Sequence, residues 1–391
     1  MSAAGLLAKL LDGAEVDWKP LEAVATIKHG RDWKHLNDGD IPVYGSGGIV
    51  GYVDEYSYDK PTVLIPRKGS ITNIFFVETP FWNIDTIFYT EIDHSQIVPK
   101  FLYYFICTLD MMSMDTGSGR PSLTQAILNK IAVPIPCPDD SEKSLAIQAE
   151  IVRILDSFTE LTAELTAELT QRKKQYNYYR DKLLSHPSGN MAWKPLGWVG
   201  EVRMCKRVMK NQTSETGDIP FFKIGTFGRE PNAFISRELF EKFRKKYSYP
   251  KVGDVLISAS GTIGRTVVFD GEEAYFQDSN IVWLENDESK VLNKYLFYFY
   301  QIAKWHVSDG GVIKRLYNDN IKKTLIAVPH PDDPEKSLEE QARIVAILDA
   351  FDTLTTSVTE GLPREIELRE KQYTYYRDLL LTFPKPDEVA T

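Results

Sequence analysis

A chain of 391 residues, 43% hydrophobic and 26% charged, has the makeup of a water-soluble globular protein with material for about two to three domains. Its cysteines, Cys107, Cys137 and Cys205, are scattered without a Cys-x-x-Cys pair, which argues against a disulfide framework or structural zinc and for the reducing cytoplasm. The net charge of −9 is uneven: residues 18–135 carry 10 Lys+Arg against 13 Asp+Glu, residues 193–329 carry 21 against 16, and the remainder 15 against 26.

In chain order, the N-terminal "LLAKLLDGAEV" is broken by Lys9 and Asp12. It suits a helical stub better than a signal peptide, and no apolar run approaches the roughly 20 residues of a membrane span. "WKPL" at Trp18 opens a first block. Within it, residues 58–92 alternate β-branched and aromatic residues with Gly and Pro breaks, which predicts strands and turns. "KFLYYFICTL" from Lys100 predicts a short helix, and "IAVP" from Ile131 closes the block.

"PDDSEKSL" from Pro138 comes next, and its Pro-Asp and Glu-Lys are the vocabulary of a metal-dependent nuclease. A nuclease, however, draws such groups from neighbouring strands around a metal. Here Asp139, Asp140, Glu142 and Lys143 crowd into a few residues before a long periodic segment. Helix initiation is the preferred reading, because acidic residues at a helix start complement its macrodipole.

The segment that follows carries Ile151, Leu155, Phe158, Thr162, Leu165, Leu169, Arg172, Tyr176, Tyr179 and Leu183 at alternating steps of four and three. That is a heptad seam, and "TELTAELTAEL" (159–169) is a four-residue repeat inside it.

Then the same words return. "WKPL" recurs at Trp193, the "GDIP" of Gly39 at Gly217, "KYLFYF" at Lys294, "IAVP" at Ile326 and "PDDPEKSL" at Pro331. A chain rarely needs one hydrolytic site twice in identical context. In the second copy Asp333-Pro334 predicts an N-cap and first-turn pair, with Ser337 to Glu340 as an alternative capping box. The second seam runs Ile344, Leu348, Phe351, Thr355, Val358, Leu362, Ile366, Arg369, Tyr373, Tyr376 and Leu380. It contains one stutter, where Gly361 and Pro363 predict a kink or short break. Two such seams should pair as an antiparallel coiled coil.

The expected division is a stub (1–17), a first block (18–138), a central helix (139–187), a second block (188–331), a C-terminal helix (332–384) and a tail (385–391). Two α+β blocks alternating with two repeated helices resemble the specificity (S) subunit of type I restriction-modification systems. "YGSGGIVGY", "LIPRKGSITN" with "FWNIDT", "ISASGTIGR" with "QDSNIV", and "EIVRILDSF" with "YNYYRDKLL" carry the resemblance over nearly the whole chain. "TAELTAEL" and "GLPREIELREKQYTYYRDLL" are similar to the type IC branch.

The resemblance implies two α+β target recognition domains in a pseudo-two-fold arrangement, separated by the paired helices. Each would read half of a bipartite site in double-stranded DNA. The helices would set the spacer and dock two modification (M) subunits and restriction (R) subunits. The chain would be non-catalytic and bind no cofactor itself. S-adenosylmethionine for adenine N6 methylation, ATP and Mg would belong to its partners. The sequence contains no Asn/Asp-Pro-Pro-Tyr/Phe motif and no phosphate-binding P-loop.

Directional contacts in the major groove come from polar and basic side chains. In the first block these are Tyr44, Ser46, Arg67, Lys68, Thr72 and Arg120. In the second they are Lys223, Arg229, Lys245, Lys246, Arg265, Lys314, Arg315 and Tyr317. The "GSGG" glycines read as a tight turn. "EKFRKKYSYP" suits either a solvated helix face or phosphate contact, and Asp85 and Asp278 suit loop organisation. His29 and His35 read as loop residues and not metal ligands. On the helices, Tyr176, Tyr179, Arg180, Tyr373, Tyr376 and Arg377 are candidates for the M interface, although the tyrosines equally suit seam filling. Two other classes compete: a stand-alone nuclease or methyltransferase, and a DNA-independent coiled-coil scaffold.

Overall fold

Each block is closed by its own ends. The structure, a computed structural model, describes residues 3–117, 119–187, 190–307 and 315–384. The chain forms two units, residues 1–166 with 365–391 (unit one) and residues 167–364 (unit two).

Unit one runs through α1 (Ala3–Leu11), β1 (Val16–Pro20), β2 (Ala25–His29), β3 (Ile41–Gly45), β4 (Gly48–Val53) and β5 (Thr62–Pro66). It continues with β6 (Phe75–Val77), β7 (Trp82–Asn83), β8 (Ile87–Ile92), α2 (Pro99–Ile106) and β9 (Ala132–Pro136). The 45-residue helix α3 (Ser141–Ser185) follows and continues into unit two. There the order is β10 (Met191–Pro195), β11 (Gly200–Arg203), β12 (Ile219–Phe222), β13 (Phe234–Ile235), α4 (Arg237–Lys246) and β14 (Val255–Ser258). β15 (Thr266–Val268), β16 (Tyr275–Phe276), β17 (Ile281–Asn286), α5 (Asn293–Tyr300), β18 (Leu325–Pro329) and α6 (Pro334–Thr356) complete it. Helix α7 (Gly361–Leu380) returns the chain to unit one.

The two units share one plan. The "WKPL" strand β1 pairs antiparallel with the "AVP" strand β9, and β10 with β18. The leucine of each "WKPL", Leu21 or Leu196, starts a short helical turn and is fully buried. A four-stranded sheet has the order β2-β8-β5-β6 in one unit and β11-β17-β14-β15 in the other. β5 and β14 are buried at every position, which is why they read as continuous apolar runs. A smaller sheet (β4-β3-β7, or β13-β12-β16) contains one parallel pair. In unit one the core joins Phe101, Leu102 and Phe105 of α2 to Val63 and Ile65 of β5 and to Ile151 and Leu155 of α3. In unit two, Tyr295, Leu296 and Phe299 of α5 meet Val255 and Ile257 of β14 and Ile344 and Leu348 of α6.

The repeated Pro-Asp-Asp motif starts helices. Asp333 accepts from the Lys336 amide at 3.2 Å with Pro334 in the first turn, and Asp140 accepts from the Lys143 amide at 3.0 Å. Ser337 does not form the capping box considered for it. It lies buried one turn into α6 and accepts from Gln341 Nε2 at 3.1 Å. Ser144 does the same for Gln148 at 3.1 Å.

Each glutamine then caps a block helix. Gln148 Oε1 accepts from the Val98 amide at 2.8 Å and its Nε2 donates to the Gln96 carbonyl at 3.1 Å. Gln341 treats Leu292 (2.9 Å) and Lys290 (3.1 Å) identically. Val98 and Leu292 are the N-caps of α2 and α5 and have no capping side chain of their own. One turn past these N-caps a second clamp forms. Asp156 accepts from Lys100 Nζ at 2.9 Å and Tyr104 OH at 2.6 Å; Asp349 accepts from Lys294 Nζ at 2.8 Å and from Tyr298 OH.

The seam positions of α3 from Ile151 to Tyr176 are buried or half-buried. In unit one Phe158 stacks on Tyr376 of α7 at 5.1 Å. In unit two Tyr179 stacks on Phe351 of α6 at 5.8 Å. Helix α6 ends at Thr356 and α7 begins at Gly361, so the break expected near Gly361 and Pro363 occupies residues 357–360. Val358, expected in the seam, falls in that break and is 72% exposed. Gly361 has φ +80°, and a Cβ there would lie 2.4 Å from the Thr353 carbonyl oxygen. Only glycine fits.

Candidate nucleic-acid interface

In unit one, four turns are tied into one surface. Arg67 and Lys68 follow β5, and Lys68 forms an isolated bridge with Ser122. The Leu123 amide donates to the Arg67 carbonyl at 2.8 Å, and the Gly69 amide to the Pro121 carbonyl at 2.9 Å. Ser46 joins from the β3–β4 turn: its amide donates to Thr86 Oγ1 at 3.3 Å and its carbonyl accepts from Asn73 Nδ2 at 3.2 Å. Asp115 Oδ1 closes the last turn by accepting the Gly117 and Ser122 amides at 2.8 and 2.7 Å.

Ser46, Arg67, Lys68, Thr72 and Arg120 are thereby brought onto one set of loops, with Lys68, Thr72 and Arg120 exposed. Arg67 Nη1 is spent on the Asp85 carbonyl at 3.3 Å. Tyr44 is half-buried, with Phe75 and Phe81 at 5.8 and 6.1 Å. Burial, and then the neighbouring Tyr52, push its phenol pKa up.

Unit two reproduces this hydrogen-bond frame with other side chains. Ser260 bridges Arg315 where Lys68 bridges Ser122, and the Leu316 amide donates to the Ala259 carbonyl at 2.8 Å, as Leu123 does to Arg67. Arg315 Nη2 donates to the Ser279 carbonyl at 2.8 Å. This carbonyl matches that of Asp85, so the same loop is gripped by an arginine from a different segment in each unit. Arg315 also lies 6.0 Å from the ring of exposed Tyr317.

Beside them a cleft of about 340 Å³ is lined by Arg207, Lys210, Lys223, Asp278 and Arg315, among others. Arg207 Nε is 2.9 Å from Asp278 Oδ2. Sequence reasoning finds Lys223, Arg315 and Tyr317 but misses Arg207 and Lys210, which precede the "GDIP" match and carry no motif.

The remaining unit-two candidates lie apart from this cleft. Arg265 Nη1 donates to the Phe227 carbonyl at 3.0 Å, and Arg229 lines a separate, more aromatic cleft with Phe222, Phe227 and Phe269. Lys245 and Lys246 end α4. Lys245 is 3.8 Å from Glu241, while Lys246 and Lys206 flank the Tyr247 ring at 5.8 and 5.2 Å. Lys314 lies outside the described residues.

On the helices Tyr176, Tyr373 and Tyr376 are buried or half-buried, while Tyr179 is 42% exposed despite its place in the seam. Tyr176 is buried, donates to Gln301 Oε1 at 3.1 Å and carries the Arg180 guanidinium at 5.4 Å from its ring. Tyr373 packs against the unit-one core beneath Arg377 at 5.8 Å. Tyr179 and Tyr376 make the stacks described above. The same repeated words hold two aromatics that sequence reasoning passes over: Tyr178 is 60% exposed and Tyr375 58%. Their heptad phase, opposite the seam, is the signal that could have found them.

Among the described residues no group of His, Cys, Asp and Glu is arranged to hold a metal ion. His29 ends β2, with Nε2 3.2 Å from Gln125 Oε1, and His35 meets Trp82 edge-on. No helix among them is long and apolar enough to cross a membrane.

Comparison with known proteins gives concordant matches. The family profile described as "Type I restriction modification DNA specificity domain" matches residues 15–172 and again 190–368. A Haemophilus influenzae chain named as a type I restriction enzyme specificity subunit, S.HindORF215P, is 50% identical, covering 96% of this chain and 98% of that one. The EcoR124I/EcoR124II specificity subunit of Escherichia coli is 37% identical, with both chains covered in full. An S subunit from M. genitalium has the same fold with TM-score 0.53 at 16% identity, covering 96% and 97% of the two chains. A chain from a structure addressing complex assembly and conformational transition of a type I R-M system gives 0.61 at 16% identity, covering 94% and 97%.

Proposed function

The chain belongs to the type I restriction-modification specificity-subunit family, and from that membership we propose how it divides its labour: each block reads one half of a split site in double-stranded DNA. The paired helices set the spacing and dock modification and restriction subunits. The observation that carries this reading is the duplicated loop frame. Backbone hydrogen bonds repeat from Lys68–Ser122 to Ser260–Arg315, while the projecting side chains differ. One scaffold presenting two sets of polar groups is what two unlike half-sites require, because phosphate contacts position a protein and base-edge contacts specify sequence.

The twice-repeated exposed aromatic, Tyr178 and Tyr375, gives two like docking spots and suits two modification subunits. We place S-adenosylmethionine, ATP and Mg²⁺ on the partner subunits and the complex in the cytoplasm. In this division the chain chooses the adenine and a partner methylates it at N6.

The test is methylation mapping. Cells carrying the chain with its modification subunit should show N6-methyladenine in one bipartite motif. Exchange of residues 18–135 for another member's block should change one half of that motif. Methyl transfer or cleavage by the chain alone would overturn the division of labour, as would a motif altered in both halves.

A further inference from the structure

We propose that the unit-two cleft between the 204–213 segment and the 277–280 loop is a phosphodiester seat for the DNA backbone, one that unit one lacks at the matching place. The inference rests on the DNA-recognition reading and assigns part of that contact to particular atoms.

Cations reach this cleft from three separate stretches of chain: Arg207 and Lys210, Lys223, and Arg315. Asp278 is the one acidic residue among those lining it, and it is engaged by Arg207 at 2.9 Å. Among the described residues, no carboxylate pairs with Lys210 or Lys223. Gathering like charges in one cleft is unfavourable unless an anion fills it, and a polyanion with a charge every few ångströms is such a filler. The Arg207 side chain is 66% exposed and Asp278 only 14%. Asp278 thus anchors the loop, while Arg207 holds it from an exposed position in which a phosphate can take the carboxylate's place.

Unit one shows that the frame does not need these charges. Arg203 pairs in register with Trp283 and Lys28 with Tyr89; four residues on from each stand Arg207 and Asp32. Counted from the same matched strands, His35 replaces Lys210. From the shared "GDIP", Gly45 replaces Lys223. By the matching bridges, Ser122 replaces Arg315. The cationic set is therefore an addition to the scaffold.

The experiment uses the full-length chain in complex with its co-expressed modification subunit, and a mixed-sequence duplex of about 40 base pairs read by fluorescence anisotropy between about 50 and 200 mM salt. Lys210→Ala and Lys223→Ala should each flatten the slope of log affinity against log salt by about 0.9. Over that fourfold rise in salt each variant then loses about 3.5-fold less affinity than the unsubstituted complex. Asp278→Asn, which releases Arg207 and keeps a hydrogen-bonding side chain, should steepen the slope. Lys290→Ala, in the same unit but paired with Asp287, should leave it unchanged. Unsubstituted slopes in both lysine variants would overturn the seat while leaving the DNA reading standing, and a flattened slope in Asp278→Asn would remove Arg207 from it. Absence of salt-dependent binding by the unsubstituted complex would sink both.

Discussion

Gln341→Leu keeps the bulk of a fully buried side chain and deletes its chemistry. Gln341 is 0% exposed, and its amide serves the Leu292 N–H and the Lys290 C=O together. Leucine leaves both backbone groups without a partner where water does not reach. A buried donor or acceptor left unpaired costs about 1–3 kcal/mol. Leucine returns part of that through apolar burial, which leaves a net loss of about 2–4 kcal/mol. For a unit of roughly 200 residues each kcal/mol lowers the melting temperature by about 2–4 °C, so unit two should melt roughly 4–16 °C earlier. Hydrogen exchange followed alongside the melt identifies where the loss falls. The Leu292 amide and the first turn of α5 should exchange faster while α2 stays protected, and Gln148→Leu should give the mirror image at Val98. A melt within about 2 °C of the unsubstituted chain, or loosening spread equally over both units, would refute the clamp.

Inserting one more "TAEL" after Leu165 should add about 6 Å of helix and lengthen the spacer between unchanged half-sites by one or two base pairs; methylation mapping that shows an active enzyme with the old spacer refutes it. Tyr178→Ala and Tyr375→Ala should each leave stability within about 0.5 kcal/mol and weaken capture of the modification subunit in a pull-down, the double variant more than either; undiminished capture by the double variant would refute the docking spots. The Ser122 amide first, and then that of Gly117, hold the Asp115 carboxyl below its ordinary pKa. That contribution is therefore present above the unfolded carboxyl value of about 3.9 and is lost as pH falls through the lower folded value. The Gly117 and Ser122 amide resonances should stay fixed down to about pH 4 and move only below it, and movement at neutral pH would contradict the contact.

How far these features are legible in the amino-acid sequence depends on their range along the chain. The seam from Ile151 to Tyr176 follows from periodicity, a local property, and the helix starts at Asp140 and Asp333 follow from capping chemistry over three residues. Val358 is misplaced by the heptad count because that count continues through a break that only backbone geometry ends. Gln148 and Gln341 are illegible for the opposite reason: a glutamine in a polar-looking turn gives no sign that a loop 50 residues away needs its amide. Spacing alone draws Ser337 into a capping box, when its hydroxyl serves that glutamine. The unit-two cleft assembles Arg207, Lys210, Lys223 and Arg315 from segments with no common motif, so only Lys223 and Arg315, beside recognisable words, can be found from the sequence. Tyr176 and Tyr178 differ by two residues and point to opposite sides of one helix.

The break at residues 357–360 bears on how such a protein changes over generations. Helix α3 runs unbroken through the "TAEL" repeat, so any insertion there is converted whole into length and rotation. The returning helical segment is held at the break by exposed contacts, the Ser357 hydroxyl accepting the Thr359 and Glu360 amides at 3.3 and 3.0 Å. Four such residues reach at most about 14 Å when fully extended, and what the break can still give is that ceiling less the distance it already covers. On the proposed spacing role of the helices, the break is the point in the second helical segment where length can be taken up without unwinding a helical turn. A duplication in α3 that kept this role would draw on the break before it disturbed α6 or α7.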